Sequence, residues 1–409
     1  VRIALTCNGP GEFSGWLRPL LSALYRAEPA LDATVFFVPD DYATGREPDV
    51  ARRLFPQARI VDAKAYVGFA LGRARAGIDG DVDLVQYLGG DLLHAVRVRG
   101  RLGGRLRSYK FARGGAKSPF ERVYAVDAKN ANDLRKGRVE AERIDVVGNL
   151  AIDGALAEAR GEYAAAGNDR VTLAPGGVVV MPGTRKHEVA NLVPFFLKAA
   201  VRLRVLAPEL PLAFAISPFT TVDELASALA SGGHPRVWGA RGALEENAGE
   251  LTIVAESGER FAVVRDAMRH VASAKFVVTI PGTKCIELAA LGVPAIVCVP
   301  LNAPESVVIN GVLQYIDRIP FLGIALKRAA VIAVDARFTM TAQPNMDAGE
   351  FLMPELRGTL TPATVARAIA AYANDDDARE RASHRLRELY VAHVGASERM
   401  AASLLGARA

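Results

Sequence analysis

Four short segments of this 409-residue chain gather glycine with carboxylate, hydroxyl or cationic side chains. Gly9-Pro10-Gly11-Glu12-Phe13-Ser14-Gly15 follows one apolar run and opens an amphipathic one. Its glycines permit tight turning and close backbone approach, and it presents the Glu12 carboxylate and the Ser14 hydroxyl. Read more plainly, it is a strand-to-helix turn with Ser14 as the helix cap. Leu88-Gly89-Gly90-Asp91-Leu92-Leu93-His94 sets Asp91 at the carboxyl end of a strand. A carboxylate there serves either as a general base toward an acceptor hydroxyl or as an N-cap. His94 is a second candidate base. Met181-Pro182-Gly183-Thr184-Arg185 joins a strand to a helix. Helix amino ends attract anions through unsatisfied N–H groups and the dipole, and Arg185 adds forked donors, so a diphosphate cradle is expected. Ile280-Pro281-Gly282-Thr283-Lys284-Cys285-Ile286-Glu287 repeats that logic. Gly282 and Thr283 offer amides to a phosphate, and Glu287, one turn on, offers a carboxylate to ribose hydroxyls or simply favours the dipole of a first helical turn. The upstream glycine and Lys-Ser/Thr ending of a P-loop are missing.

Between Arg97 and Lys117 lie eight cations (Arg97, Arg99, Arg101, Arg105, Arg107, Lys110, Arg113, Lys117) and no acid, with Tyr109 and Phe111 interleaved. Such a run docks on anionic headgroups or is a solvated face; no nucleic-acid motif accompanies it. The 6 histidines are scattered, and the 3 cysteines (Cys7, Cys285, Cys298) have no C-x-x-C spacing. No metal site is expected, and the cysteines fit reduced thiols in a cytosolic protein.

These segments need elements to position them. Apolar runs predict strands over 3–6, 34–38, 84–87, 123–126 and 144–147, with helices over 16–25 and 65–76 between them. Leu17, Leu20, Leu21 and Leu24 share a face of the first helix. Residues 154–170 read as a linker with one short helix. The alternation restarts with strands over 178–181, 212–216, 252–254, 276–280 and 295–299, and helices over 188–206, 260–273 and 287–291. Helices follow over 362–372, 376–391 and 396–405, the first opened by Thr361-Pro362. Alternating strands and helices imply parallel sheets, with ligands beyond the carboxyl ends of the strands. The expectation is an α/β chain of two Rossmann-like domains facing across a cleft: an acceptor-side domain over 1–160, a nucleotide-sugar domain over 171–360, and C-terminal helices over 361–409 packing back on the first.

Composition agrees. Half the residues are hydrophobic, 7% are aromatic, and 37 glycines and 22 prolines supply turns, which excludes a disordered chain. A net charge of +5 favours anionic partners without naming one. The chain enters a strand-like run at Val1-Arg2-Ile3, so no secretory leader is expected. No apolar stretch of about 18 residues predicts a transmembrane helix.

The order of these segments resembles the lipid-A-disaccharide synthase family of GT-B glycosyltransferases. Gly11-Glu12-Phe13-Ser14-Gly15 resembles the family's Gly-Glu-x-Ser-Gly, and Met181-Pro182-Gly183-Thr184-Arg185 with Glu188 resembles its Leu-Pro-Gly-Ser-Arg-x-x-Glu. Gly282-Thr283 through Glu287, then Gly292-Val293-Pro294, is similar to its Ser-Gly-Thr-Ala-Thr-Leu-Glu and Gly-x-Pro. Gln343-Pro344-Asn345, Met353-Pro354-Glu355-Leu356 and Ala396-Ser397-Glu398-Arg399 resemble its later stretches.

The resemblance implies that Asp91 is the essential first-domain aspartate, Arg185 the essential arginine, Glu287 the ribose-binding glutamate and Asn345 a nucleotide-side residue. Gly183, Thr184, Gly282 and Thr283 then hold the diphosphate, Glu12 and Ser14 join Asp91 as catalytic candidates lining the cleft from the acceptor side, and Gly15 and His94 belong to that side too. The implied reaction moves diacylglucosamine from UDP-diacylglucosamine to diacylglucosamine 1-phosphate and releases UDP. It inverts the anomeric carbon, takes place at the inner membrane surface, and needs no metal or cofactor. Helix amino ends and cations stabilise the leaving diphosphate. The family's Trp-Ala-Trp is missing after Asp91, and residues 302–342 diverge, so the donor side is the closer likeness. Val146-Val147-Gly148-Asn149 through Asp153 is more similar to UDP-N-acetylglucosamine 2-epimerases and Kdo transferases. An epimerase, another GT-B transferase, and a non-catalytic membrane- or polyanion-binding relative stay open as alternatives.

Overall fold

A computed structural model describes residues 1–40, 43–73, 77–78, 80–115, 117–163, 176–265, 267–302 and 339–406. The chain divides into two compact units, Val1–Ala165 with Tyr390–Ala409, and Ala166–Leu389.

The first unit is built on a parallel sheet of seven strands: β1 (Arg2–Cys7), β2 (Asp32–Phe37), β3 (Arg59–Val61), β4 (Leu84–Tyr87), β5 (Arg105–Tyr109), β6 (Arg122–Ala125) and β7 (Ile144–Val146). Their order is β3-β2-β1-β4-β5-β6-β7, with every pair parallel. The run Ile3–Leu5 is buried because a central parallel strand is covered on both faces. Helix Ala396–Leu405 packs on helix Arg18–Ala27, so the last residues complete the unit that the first ones began.

Among the described residues the second unit holds eight strands: β8 (Val178–Val180), β9 (Leu212–Ala215), β10 (Gly242–Asn247), β11 (Glu250–Ala255), β12 (Arg260–Val264), β13 (Phe276–Thr279), β14 (Ala295–Pro300) and β15 (Glu355–Gly358). The order is β10-β11-β12-β9-β8-β13-β14-β15. The β10–β11 and β11–β12 pairs are antiparallel and the others parallel. Helix Lys186–Leu206 sends Val193, Phe196, Ala200 and Leu203 into the core and packs on helices Val222–Ser231 and Pro362–Ala373.

Three expectations need correction. The helix predicted over 260–273 is strand β12 followed by helix Ala267–Val271. The apolar run 261–264 carries no period that separates strand from helix, and its two valines favour the strand. The short helix expected within 154–170 is present but starts earlier, running over Leu150–Ala159, and residues 164–170 lie outside the described ones. The helix predicted over 65–76 is Ala63–Ala70, with residues 74–76 outside the described ones.

In the first sheet the strand order reverses direction between β1 and β4; among the parallel strands of the second, β12-β9-β8-β13-β14-β15, it reverses between β8 and β13. Crevices at such switch points, beyond the carboxyl ends of the strands, are where open α/β sheets take their ligands.

Candidate functional site

All four glycine-bearing segments leave the sheets at these two switch points. In the second unit, Pro182–Arg185 follows β8 and opens helix Lys186–Leu206, and Ile280–Gly282 follows β13 and opens helix Thr283–Ala290. The two helix starts differ. The Glu188 carboxylate folds back on the first loop and accepts hydrogen bonds from Thr184 N (2.9 Å), Arg185 N (3.0 Å) and Arg185 Nη1 (3.1 Å). Gly183 has φ +108°, and a Cβ there would lie 2.5 Å from a Glu188 carboxylate oxygen, so the loop is shaped around that carboxylate. The second helix has Gly282 at its N-cap with no side-chain cap, and a Cβ on Gly282 would meet nothing within 4 Å. Gly282 and Thr283 are exposed. Of the two predicted cradles, this is the more open, while Thr184 and Arg185 already give their amides to Glu188. Glu287 is nearly buried, and Lys284 Nζ donates to its Oε2 at 2.5 Å.

Asn345, which the resemblance puts on the nucleotide side, is turned into the fold. It is fully buried; Nδ2 donates to Met353 O (2.7 Å) and to Glu355 (3.0 Å), and Oδ1 accepts from Met353 N (2.8 Å). Its place is to hold the segment ahead of β15.

In the first unit, the segment after β1 begins with the short helix Pro10–Glu12 and passes through a π-helical turn, Phe13–Leu17. Such turns widen a helix locally and recur at functional sites. Glu12 and Ser14 are part-exposed, but Gly15 is buried, and a Cβ on it would lie 3.4 Å from the Ala151 methyl. Gly15 therefore serves close packing on helix Leu150–Ala159. Asp91 is exposed and caps helix Leu92–Leu102 by accepting from Leu93 N at 2.8 Å. The cap uses one carboxylate oxygen and leaves the residue facing solvent, so the two sequence readings of Asp91 are compatible. The glycines ahead of it have steric reasons. A Cβ on Gly89 would lie 2.2 Å from Asn8 Oδ1, and one on Gly90, at φ +84°, would lie 2.4 Å from Val38. They bring β4's exit loop against the ends of β1 and β2. The same closeness sets Glu12 beside Gly89.

Sequence reasoning missed two partners here. Asn8 Nδ2 donates to Asp40 Oδ2 at 2.7 Å, joining the ends of β1 and β2, and the Tyr66 hydroxyl lies 2.8 Å from His94 Nδ1. Only the polar types of Asn8 and Asp40, each ending an apolar run, hinted at the first. Burial lowers the His94 pKa against the opposing pull of Asp91 and Asp40, which favours the neutral ring that a base requires.

The basic run is divided among three elements. Arg97 Nε bonds Ala70 O at 2.8 Å, and the Arg101 guanidinium lies over the Phe69 ring, both from helix Leu92–Leu102. Arg107, on β5, is buried; its Nη1 donates to Tyr124 Oη and Ser403 O, each at 2.9 Å. Arg107 is a structural cation and cannot belong to a docking face. Lys110 lies over the Trp16 and Phe111 rings. All three cysteines are buried and free, and burial pushes the Cys285 and Cys298 thiols up to about 12. Among the described residues, no helix is long and apolar enough to cross a membrane, and no group of three or more His, Cys, Asp or Glu side chains is arranged to hold a metal ion.

No family model matches the chain. A lipid-A-disaccharide synthase of Syntrophus aciditrophicus (strain SB) is 29% identical over 234 residues, 56% of this chain and 48% of that protein, so the chain spans about half the length of this curated relative. Among solved structures, the S. aureus MnaA–UDP co-structure aligns with a TM-score of 0.57 at 14% identity, covering 100% of this chain and 97% of that one. The UDP-GlcNAc 2-epimerase from Neisseria meningitidis bound to UDP-GlcNAc aligns with a TM-score of 0.54 at 10% identity, covering 99% and 100%. At these identities the likeness establishes the fold: two Rossmann-like α/β units of the GT-B type, with a helical C-terminal region.

Proposed function

We propose that the chain is a UDP-sugar-dependent glycosyltransferase that moves an acylated glucosamine from UDP to an acylated glucosamine phosphate and releases UDP. The observation that carries the reading is the placement of all four chemistry-bearing segments at the two sheet switch points. The partial likeness to a lipid-A-disaccharide synthase supports the acceptor, and the UDP and UDP-GlcNAc printed for the fold neighbours support the donor.

In this reading the exposed amides at Gly282 and Thr283 and the Arg185 guanidinium receive the diphosphate and stabilise the charge that grows on it as the glycosidic bond breaks. Asp91 takes the proton of the acceptor hydroxyl. Glu12 and Ser14 line the acceptor side, His94 is the reserve base, and Glu287 meets the ribose. Thr184 shapes the loop that carries Arg185. The protein's residues supply the whole of this chemistry, without a metal or cofactor.

The reading includes contact with an anionic membrane at the cytoplasmic face of the inner membrane. Arg97, Arg99 and Arg101 share helix Leu92–Leu102 with the exposed Leu93, and the neighbouring helix Ala63–Ala70 adds exposed Val67, with Leu71 just beyond it. Exposed apolar side chains among cations are the composition of a peripheral lipid-binding face. Replacing Val67, Leu71 and Leu93 with serine should abolish sedimentation with vesicles containing phosphatidylglycerol; undiminished sedimentation removes this part of the reading.

The deciding assay follows UDP release from UDP-diacylglucosamine with and without diacylglucosamine 1-phosphate. Acceptor-dependent release supports transfer. A second reading, UDP-sugar 2-epimerisation, is favoured by full-length fold likeness to UDP-GlcNAc 2-epimerases. It requires conversion of UDP-GlcNAc with no acceptor present. Absence of both activities, with vesicle binding retained, would leave a non-catalytic lipid-binding relative.

A further inference from the structure

The two loops at the switch point of the second unit carry one sequence twice. Pro182-Gly183-Thr184-Arg185-Lys186-His187-Glu188 and Pro281-Gly282-Thr283-Lys284-Cys285-Ile286-Glu287 both read Pro-Gly-Thr-cation-x-x-Glu. They leave neighbouring strands at nearly one level. Val180 is in register with Val278, Met181 N donates to Val278 O at 2.8 Å, and Thr279 Oγ1 donates to Met181 O at 3.3 Å. In each copy the cation is paired with the carboxylate three residues on, Arg185 Nη1 with Glu188 Oε1 at 3.1 Å and Lys284 Nζ with Glu287 Oε2 at 2.5 Å. In each, the cation is the more exposed partner: 47% against 12% for Arg185 and Glu188, and 25% against 4% for Lys284 and Glu287.

A carboxylate drawn out of water needs a compensating charge, and each loop supplies one from its own fourth position. Neighbouring strands lie about 4.8 Å apart, so the two loops leave the sheet side by side, each carrying one cation. The family resemblance does not account for the second cation, because the similar segment, Ser-Gly-Thr-Ala-Thr-Leu-Glu, has alanine where this chain has Lys284.

We propose that Lys284 is a phosphate-binding residue matched to Arg185, and that Glu188 and Glu287 are resident counter-ions exchanged for phosphoryl oxygens when a nucleoside diphosphate binds. No covalent step is involved. Each cation trades one anionic partner for another, and the exchange at Lys284 frees the Glu287 carboxylate for the ribose hydroxyls. Diphosphate and ribose recognition are then coupled through one side chain. The uridine and ribose parts rest on the UDP-sugar reading; the diphosphate part does not.

The test is calorimetric titration of the full chain with UDP, uridine and inorganic pyrophosphate. Lys284→Ala should weaken UDP and pyrophosphate by about tenfold or more, as expected for the loss of one charge-assisted hydrogen bond, and should not weaken uridine. Lys284→Arg should restore both. Glu287→Gln should tighten pyrophosphate, since the lysine loses its competitor, while weakening UDP relative to pyrophosphate. Should Lys284→Ala misfold around a stranded Glu287, the double variant Lys284→Ala/Glu287→Gln removes both charges and should show the same loss of pyrophosphate. Wild-type affinity for UDP and pyrophosphate in Lys284→Ala, or no tightening in Glu287→Gln, overturns the proposal and leaves the UDP-sugar reading in place. Lys284-dependent pyrophosphate binding without any gain from uridine overturns the UDP-sugar reading and leaves the clamp. Binding of neither ligand by the wild type overturns both.

Discussion

Asn345 donates a hydrogen bond to Glu355 at 3.0 Å, and the same carboxylate accepts from Thr341 N and Ala342 N, each at 2.9 Å, and from Thr341 Oγ1 at 2.7 Å. Strand β15 thereby holds the chain that returns to it. Asn345→Ala removes the partners of the buried Met353 N and O and one of several donors to Glu355, and should cost about 2–4 kcal/mol. Urea unfolding checks this; a variant of wild-type stability with selectively weakened UDP binding would return Asn345 to the nucleotide.

The same carboxylate makes a pH prediction. Burial alone would raise the Glu355 pKa, but the hydrogen bonds from Ala342, Thr341 and Asn345 outweigh it and hold it below the ordinary 4.5. A depressed folded-state pKa gives stability that is complete above the unfolded value and is lost as pH falls through the folded one. Glu355→Gln should therefore lower Tm at neutral pH and flatten the fall of Tm below pH 4.5. An acid limb as steep as the wild type's would mean that other carboxylates set it.

The helix cap made by Asp91 and its proposed role as base can be separated by substitution. Asparagine also caps helices well, so Asp91→Asn should preserve stability while lowering turnover about 10²–10⁴-fold. Asp91→Ala should lose activity and also about 1 kcal/mol of stability. Full activity in Asp91→Asn would leave only the cap.

Arg107 tests the division of the basic run. Arg107→Ala should destabilise the first unit by about 2–3 kcal/mol, because Tyr124 and the Ser403 carbonyl lose a buried charged donor. It should also hasten proteolysis near the C-terminal helix, with vesicle binding unchanged in the fraction that remains folded. Reduced vesicle binding at full stability would put this residue back on the membrane face.

Gly183 can be tested against its own geometry. At φ +108°, with Glu188 in the place of a side chain, Gly183→Ala should cost about 1–3 kcal/mol and lift Glu188 from the Thr184 and Arg185 amides. UDP affinity should fall with it. An unchanged Kd would mean that the ligand does not depend on this loop's shape.

The parts of the fold that a linear reading caught are those where period and burial coincide. β1, β4, β6 and β13 are central, buried strands, and each reads as an apolar run bounded by turn residues. β5 escaped because Arg105 and Arg107 alternate with Leu106 inside a cationic stretch, and charge masked the period; the inward turn of Arg107 depends on Tyr124 and Ser403, 17 and 296 residues away in sequence. β12 reads as helix in the sequence because a short apolar run fits both periods. At the site, glycines and strand ends were legible, since their constraints are local. The use of Glu188 as an internal anion, the sequestration of Asn345 and the Asn8–Asp40 bond were not, because each depends on how a side chain folds back or on which strand lies alongside.

The C-terminal helix has a consequence for biosynthesis. Asp153 accepts from Gly395 N at 2.8 Å and Ser397 N at 2.6 Å, and Arg399 Nε bonds Val147 O at 2.8 Å, so a unit begun at residue 1 is finished by residues 390–409. On the ribosome the early sheet must wait, with the apolar side of helix Arg18–Ala27 unshielded, while more than two hundred intervening residues are translated and condense on their own. A premature stop just before Gly395 would release a protein whose second unit is whole and whose first lacks the helix that covers Arg18–Ala27.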